Sequence, residues 1–454
     1  MSEPERPFKR LSPLTPLVRS FILVVAAAAS TWDDVLRGDL GPLAWGFLAV
    51  LVAGGVYGAA SWLRTKYWIE ADELRVDTGV LSRQSRRIRV DRLQGVDISQ
   101  PFVARLFGLA ELRMDVAGGG SREGSLAFLS LAEAQDLRAT LLARRDAVRA
   151  DPQPTTAVGA ADGVHTGPPE SVPAVPDRVL ATLDLRTLVL SLLLSPETGA
   201  FLVAAVVLGG LFAALGELGG VIAGAPVLAG FALTQLRRLS AYYGFTVSET
   251  PSGLQVRRGF FERDAQTITL ARVQGVVVTE PVLWRGFGWA KLDVALAGYA
   301  TSSETDGRPS ASTVMPVAPR PFVLELARRL LAEAGSPDPD EVTLLAPPER
   351  SRWAAPVRRR FFAAGVGEHL VVSREGVLTR RTHVVPHARV QSLRLAQGPW
   401  QRRLGLADLL VDSPPGPVRV RARHRDMVEV RRLLDLENDR ARRARTARPG
   451  PVSP

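Results

Sequence analysis

The sequence predicts an α+β multipass membrane protein: two transmembrane helical hairpins and three antiparallel β-domains, each closed by a C-terminal helix. Three observations lead there. A stretch of sequence occurs three times without a gap, apolar residues within it alternate with polar ones, and the longest charge-free stretches fall before the first two copies.

The repeat centres on RLQGVDISQPFVARLFGLAELRMDV from Arg92, RVQGVVVTEPVLWRGFGWAKLDVAL from Arg272 and RVQSLRLAQGPWQRRLGLADLLVDS from Arg389. Beyond these arginines, all copies share Gln94, Gln274 and Gln391, then Arg105, Arg285 and Arg402, then Gly108, Gly288 and Gly405. Upstream they share Gly79, Gly259 and Gly376, and Arg83, Arg263 and Arg380. Shared glycines at fixed offsets imply shared backbone conformations, hence one fold built three times.

Ile88 and Val90 alternate with arginines and Asp91, and Leu112, Met114 and Val116 alternate with Glu111, Arg113 and Asp115. Period two predicts strands with one buried and one wet face. Gly79, Gly259 and Gly376 suit hairpin turns. Residues 101–108 and their counterparts suit a short irregular or one-turn helical link. A further strand and a helix close each unit. The first helix opens on a capping box, Ser130 to Glu133; the others are expected at 322–331 and 427–436.

In chain order, residues 13–63 form the first hairpin, with 40–63 free of charge and 13–32 interrupted only by Arg19. Both stretches are long enough to cross a bilayer. A cleaved signal peptide is disfavoured at 13–32, because Trp32, Asp33 and Asp34 follow. The first β-domain spans 66–150. Residues 151–180 read as a flexible Pro/Gly/Ala/Thr linker. Residues 187–236 hold a juxtamembrane helix and the second hairpin, 198–216 and 218–236, split by Glu217. The second β-domain spans 242–335, a linker 336–364, the third β-domain 365–438 and a basic disordered tail 439–454. Arg6, Lys9, Arg10, Arg64 and Lys66 flank the first hairpin, and Arg178, Arg186, Arg237 and Arg238 the second; the connecting turns are acidic. The positive-inside rule then places both termini and all three β-domains in the cytoplasm. Trp62, Tyr67 and Trp68 after the first hairpin, and Tyr242 and Tyr243 after the second, fit an interfacial aromatic belt, although Tyr67 and Trp68 fit the first strand's core equally well.

Two membrane helices followed by a β-domain with an R-[IVL]-Q motif and a later R-x-x-G-[LW]-A element resemble the bacterial membrane-bound pleckstrin-homology (PH) family, in its YdbT-like arrangement. Arg92 to Gln94 with Arg105 to Ala110, Arg272 to Gln274 with Arg285 to Ala290, and Arg389 to Gln391 with Arg402 to Ala407 carry the resemblance. It implies PH-like, partly open barrels and no enzyme. It also implies a membrane protein partner with one hairpin and one PH-like domain, or a homo-oligomer, and a role in envelope stress or antimicrobial defence. The third unit departs from the pattern at Gly398-Pro399.

The chain has no cysteine, which excludes disulfides and thiolate chemistry. His383 and His387 have helical zinc spacing, but Val384-Val385-Pro386 between them favours an extended chain and no metal. No catalytic constellation recurs in the copies, and no cofactor is expected. Arg92, Gln94, Arg272, Gln274, Arg389 and Gln391 read as architectural before ligand-binding, since all three domains carry them. Arg83, Arg86, Arg87, Arg257, Arg258, Arg263, Arg380 and Arg381 are candidate contacts for anionic lipid or a partner, or a solvated strand face. The net charge of +11 therefore points to an anionic leaflet and not to nucleic acid. The function expected is a non-enzymatic adaptor or assembly platform. The alternative is a transporter or channel accessory or a lipid-binding component, and the scarcity of polar residues in the spans argues against a transport pathway.

Overall fold

The structure is a computed structural model that describes residues 9–10, 46, 60, 63–70, 73–78, 84–116, 125–150, 178–216, 218–250, 253–260, 263–297, 312–332, 339, 342–413 and 416–446. Nearly all of the first expected hairpin, most of the first linker and the last eight residues lie outside them. The chain divides into two units: residues 1–177 with 261–267, and residues 178–260 with 268–454.

In the first unit β1 (Lys9–Arg10), β2 (Lys66–Glu70), β3 (Glu73–Thr78) and β4 (Gln84–Arg89) form an antiparallel meander. A 3-10 turn at Val90–Arg92 redirects the chain into β5 (Leu93–Gln100). The one-turn helix α1 (Phe102–Leu106) leads to β6 (Leu109–Val116) and β7 (Ser125–Ser130), and α2 (Leu131–Ala150) closes the domain. The capping box forms as expected: Glu133 N–H donates to Ser130 Oγ, and Ser130 N–H donates to the Glu133 carboxylate. The alternating residues meet in one core of Leu74, Ile88, Val90, Leu93, Leu112, Leu129 and Leu141. Tyr67 belongs to that core, so it is not a belt residue; burial first, and the Glu133 carboxylate second, push its phenol up to about 12.

The second unit opens with β8 (Arg178–Thr182), which pairs with β9 (Thr246–Thr250), so residues 178–180 are strand and not linker. Asp184 caps α3 (Leu185–Leu193) by accepting from the N–H groups of Arg186 and Thr187. Next, α4 (Pro196–Ala214) and α5 (Leu218–Tyr242) form a helical hairpin, with Phe201 and Phe231 stacked at 3.8 Å. Leu202, Val203, Val206 and Val207 on α4, and Val227 and Leu228 on α5, are exposed. Among the described residues, α4 alone is long and apolar enough to cross a membrane.

The repeat then returns as β9, β10 (Gly253–Arg258), β11 (Arg263–Ile268), β12 (Val273–Pro281), α6 (Val282–Gly286), β13 (Trp289–Leu296), β14 (Thr313–Pro319) and α7 (Arg320–Leu330). The third copy supplies β15 (Ala363–Val366), β16 (Leu370–Glu375), β17 (Thr379–Pro386), β18 (Ser392–Ala396), α8 (Pro399–Arg403), β19 (Leu406–Asp412), β20 (Val420–Asp426) and α9 (Met427–Thr446). Residues 342–364 are not a free linker: Leu345 bridges Ala364, and Ser351 is buried in a 3-10 turn. Nor do residues 439–446 belong to a disordered tail. They continue α9, where Ala441 is buried and Arg440 donates to the carbonyls of Val366 and Gly367.

The second and third copies share one sheet, ordered β14-β13-β12-β17-β16-β15. Half-wet strands were expected here; instead β12 is buried on both faces. Val276 and Val278 face one core with Leu292, Val294, Val372 and Val384, whereas Val277 faces a second with Val371, Val385, Val411 and Val420. A strand covered on both sides needs apolar residues consecutively, which is why the sequence reads Val276-Val277-Val278.

Candidate functional site

The features most distinctive of this chain lie where copies meet. In the second unit β12 pairs with β17 in the register Val278↔Thr382, Thr279↔Arg381, Glu280↔Arg380. Gly275 permits the close approach, since a Cβ there would stand 2.7 Å from Val384 O. Arg285 reaches across to donate to Val377 O at 3.1 Å, and Val282 N–H donates to Leu378 O at 2.7 Å. Glu280 is buried beside Arg320 at 3.2 Å and Arg380 at 3.8 Å. In the first unit the same kind of pairing joins β5 to residues 263–265: Arg263↔Gln100, Asp264↔Ser99, Ala265↔Ile98. Counted from the shared arginines, the two registers coincide: Arg263 and Arg380 are equivalent, as are Gln100 and Glu280.

Several of the repeated side chains hydrogen-bond backbone carbonyls. Arg272 donates to Ala297 O at 2.6 Å and Arg389 to Ala271 O at 2.6 Å, while the Gln274 amide donates to Arg272 O. Arg92 is exposed, and the Gln94 and Arg83 side chains lie outside the described residues. Gly108, Gly288 and Gly405 end their one-turn helices at φ +68°, +66° and +63°. Each then accepts, through its carbonyl, the N–H that opens the closing helix: Leu131, Arg320 and Met427.

The candidate contact arginines scatter. Arg86 and Arg87 are exposed on β4, and Arg257 on β10; Arg258, next to it, is buried and offers no open contact. Arg263 and Arg380 sit in the two joints, and Arg381 lines a cavity.

That cavity, about 600 Å³, lies between the base of the α4–α5 hairpin and the shared sheet. Leu188, Leu192, Tyr242 and Trp284 form an apolar wall, and Trp284 Nε1 donates to Ser191 O at 3.1 Å. Arg381, Arg419, Arg421 and Arg423 line the opposite side, with Arg238 and Lys291 nearby. Glu197, Asp293 and Glu375 offset only part of this charge. Asp293 is occupied by Thr313 at 2.7 Å and Lys291 at 3.3 Å, and Glu375 by Arg423 at 3.2 Å. His383 is buried in the wall. Burial first, and then the surrounding arginines, lower its pKa to about 4, so it is neutral and accepts Arg419 N–H at Nδ1. A net-cationic cavity with one apolar wall is suited to an anionic group on an apolar carrier. The sequence reading passed over Arg419, Arg421 and Arg423; their alternation along one strand face was the available signal.

His383 and His387 do not share a site. His387 is buried against Glu437 at 2.7 Å and Gly367 O at 3.0 Å, and no metal-ligating cluster occurs among the described residues.

The chain thus holds three copies of one strand–turn–helix pattern, and the bacterial PH domain family model matches residues 20–145, 191–334 and 342–440, well over half of the chain. The chain belongs to the bacterial PH domain family. The UPF0699 transmembrane protein YdbT of Bacillus subtilis (strain 168) is 24% identical over 288 residues, which is 59% of this chain and 56% of that relative. The chain therefore matches little more than half the length of this curated relative. The three matched segments correspond to the three sequence copies, so the joints described above are contacts between successive PH domains.

Proposed function

We propose that the chain is a non-enzymatic membrane protein whose three PH-like domains form an assembly platform at the cytoplasmic face, carried by two transmembrane hairpins with both termini inside. The supporting observation is the β12·β17 joint. Here PH strands serve as protein-binding edges, and the main-chain ladder supplies affinity without any catalytic group. The similarity to a transmembrane relative and the apolar surface of α4 support the membrane placement. Purification in mild detergent followed by mass spectrometry and a measurement of assembly mass tests the platform: stoichiometric partners, foreign proteins or further copies of the chain, are expected, and the chain recovered alone as a monomer overturns it.

The cavity favours a second reading, a site for an anionic lipid headgroup. Each arginine near an anionic leaflet contributes about 1 kcal/mol. Replacing Arg381, Arg419 and Arg421 by Gln together should reduce co-purified phosphatidylglycerol relative to neutral lipid. An unchanged lipid ratio removes this reading.

A further inference from the structure

The joint between PH domains has a direction. In each case the strand after the shared arginine (β5 or β12) receives the strand before the next one (β11 or β17). Applied along the chain, the rule leaves two ends unused. The acceptor of the third domain, β18, pairs only with β19 among the described residues, and its residues are exposed except for half-buried Leu393, whereas β12 is almost wholly buried. The donor of the first domain, β4, pairs only with β3 among the described residues, and five of its six residues are exposed. Open strand edges of this kind are templates for pairing with another chain.

We propose that the β18 edge takes β4 of a second copy of this chain, in the register used at both internal joints. That register sets Ser85 opposite Leu395, Gln84 opposite Ala396 and Arg86 opposite Arg394. The arginine pair is tolerable because Asp412 already engages Arg394 through two hydrogen bonds, at 2.6 and 2.9 Å. Arg402 occupies the place of Arg285, which grips the hairpin turn of the next domain. It is exposed, and its side chain makes no hydrogen bond or ion pair among the described residues. In the second copy the sequence equivalents of Val377 and Leu378 are Val80 and Leu81. One contact is lost: Pro399 stands where Val282 donates its N–H, so strand ladder and Arg402 carry the joint. The contact is head-to-tail, so it propagates or closes into a ring and does not stop at a two-fold dimer.

The proposal rests on the platform reading and adds its partner. The test uses the full chain in membranes, where the absence of native cysteine gives a clean background. Two differently tagged copies are co-expressed, one with Leu395→Cys and the other with Ser85→Cys, Gln84→Cys or Arg86→Cys, and oxidised. A mixed-tag disulfide several-fold more abundant for Ser85→Cys than for its two neighbours is expected, because adjacent strand residues face opposite sides. Absence of the mixed-tag product, or equal yield at all three positions, overturns the proposal. Arg402→Ala, an exposed change, should lower the yield several-fold; an unchanged yield refutes its equivalence to Arg285. Stoichiometric foreign partners without the 85–395 disulfide would sink this inference and leave the platform standing, whereas neither result would sink both.

Discussion

At Gly288 the backbone takes φ +66° with open space around the missing Cβ, while at Gly376 a Cβ would lie 1.9 Å from Thr379 O. The two positions should respond differently to alanine. Gly288→Ala incurs the left-handed backbone penalty of about 1–2 kcal/mol. Gly376→Ala adds a steric clash with backbone in the turn gripped by Arg285, and should lower the thermal midpoint of the detergent-solubilised chain clearly more. His383 makes a separate prediction. Its pKa falls from 6.5 unfolded to about 4 folded, so the unfolded chain binds the extra proton between those values. Stability should therefore decline as pH drops from 6.5 to 4, by about 3 kcal/mol at most, and level off below. His383→Asn should flatten that slope in pH-dependent thermal unfolding; an unchanged slope assigns it to other groups.

At the scale of elements, the shared sheet makes β12 part of two cores. Val277 belongs by sequence to the second PH domain but packs with Val371, Val411 and Val420 of the third. Val277→Ala should cost about 1–3 kcal/mol through lost burial and an incompletely collapsed cavity. Hydrogen exchange should rise at β19 and β20 more than at α7, whose residues lie in the other core. Val276→Ala should show the reverse pattern. Equal loss of protection in both domains for both variants would mean that the two cores unfold as one.

For the whole molecule, the cytoplasmic placement of the PH domains stands or falls on topology. Single cysteines at Gln94 and Gln274 should resist a membrane-impermeant thiol reagent in intact cells and react after permeabilisation. Labelling from outside would reverse the orientation argued from the charge distribution, and would take away access to cytoplasmic partners and to the inner leaflet.

The copies, their alternating strands, the capping box at Ser130 and the glycine-ended one-turn helices were all legible in the sequence, because each depends on contacts within about ten residues. The joints were not. Which strand edge meets which is decided by residues more than a hundred positions apart, such as Val278 and Thr382, and period two gives a strand's faces without naming its neighbours. The run Val276-Val277-Val278 breaks the alternation and fits burial on both sides, but the period-two reading did not use it, and the second cover, the third domain, appeared only in the fold. The cavity has the same origin. Arg381 and the arginines of β20 are ordinary exposed-strand residues until the shared sheet and the α4–α5 hairpin bring them to one space. Local spacing thus determined the domain and its number of copies, whereas long-range pairing, governed by packing and edge complementarity, decided how the copies join and where charge accumulates.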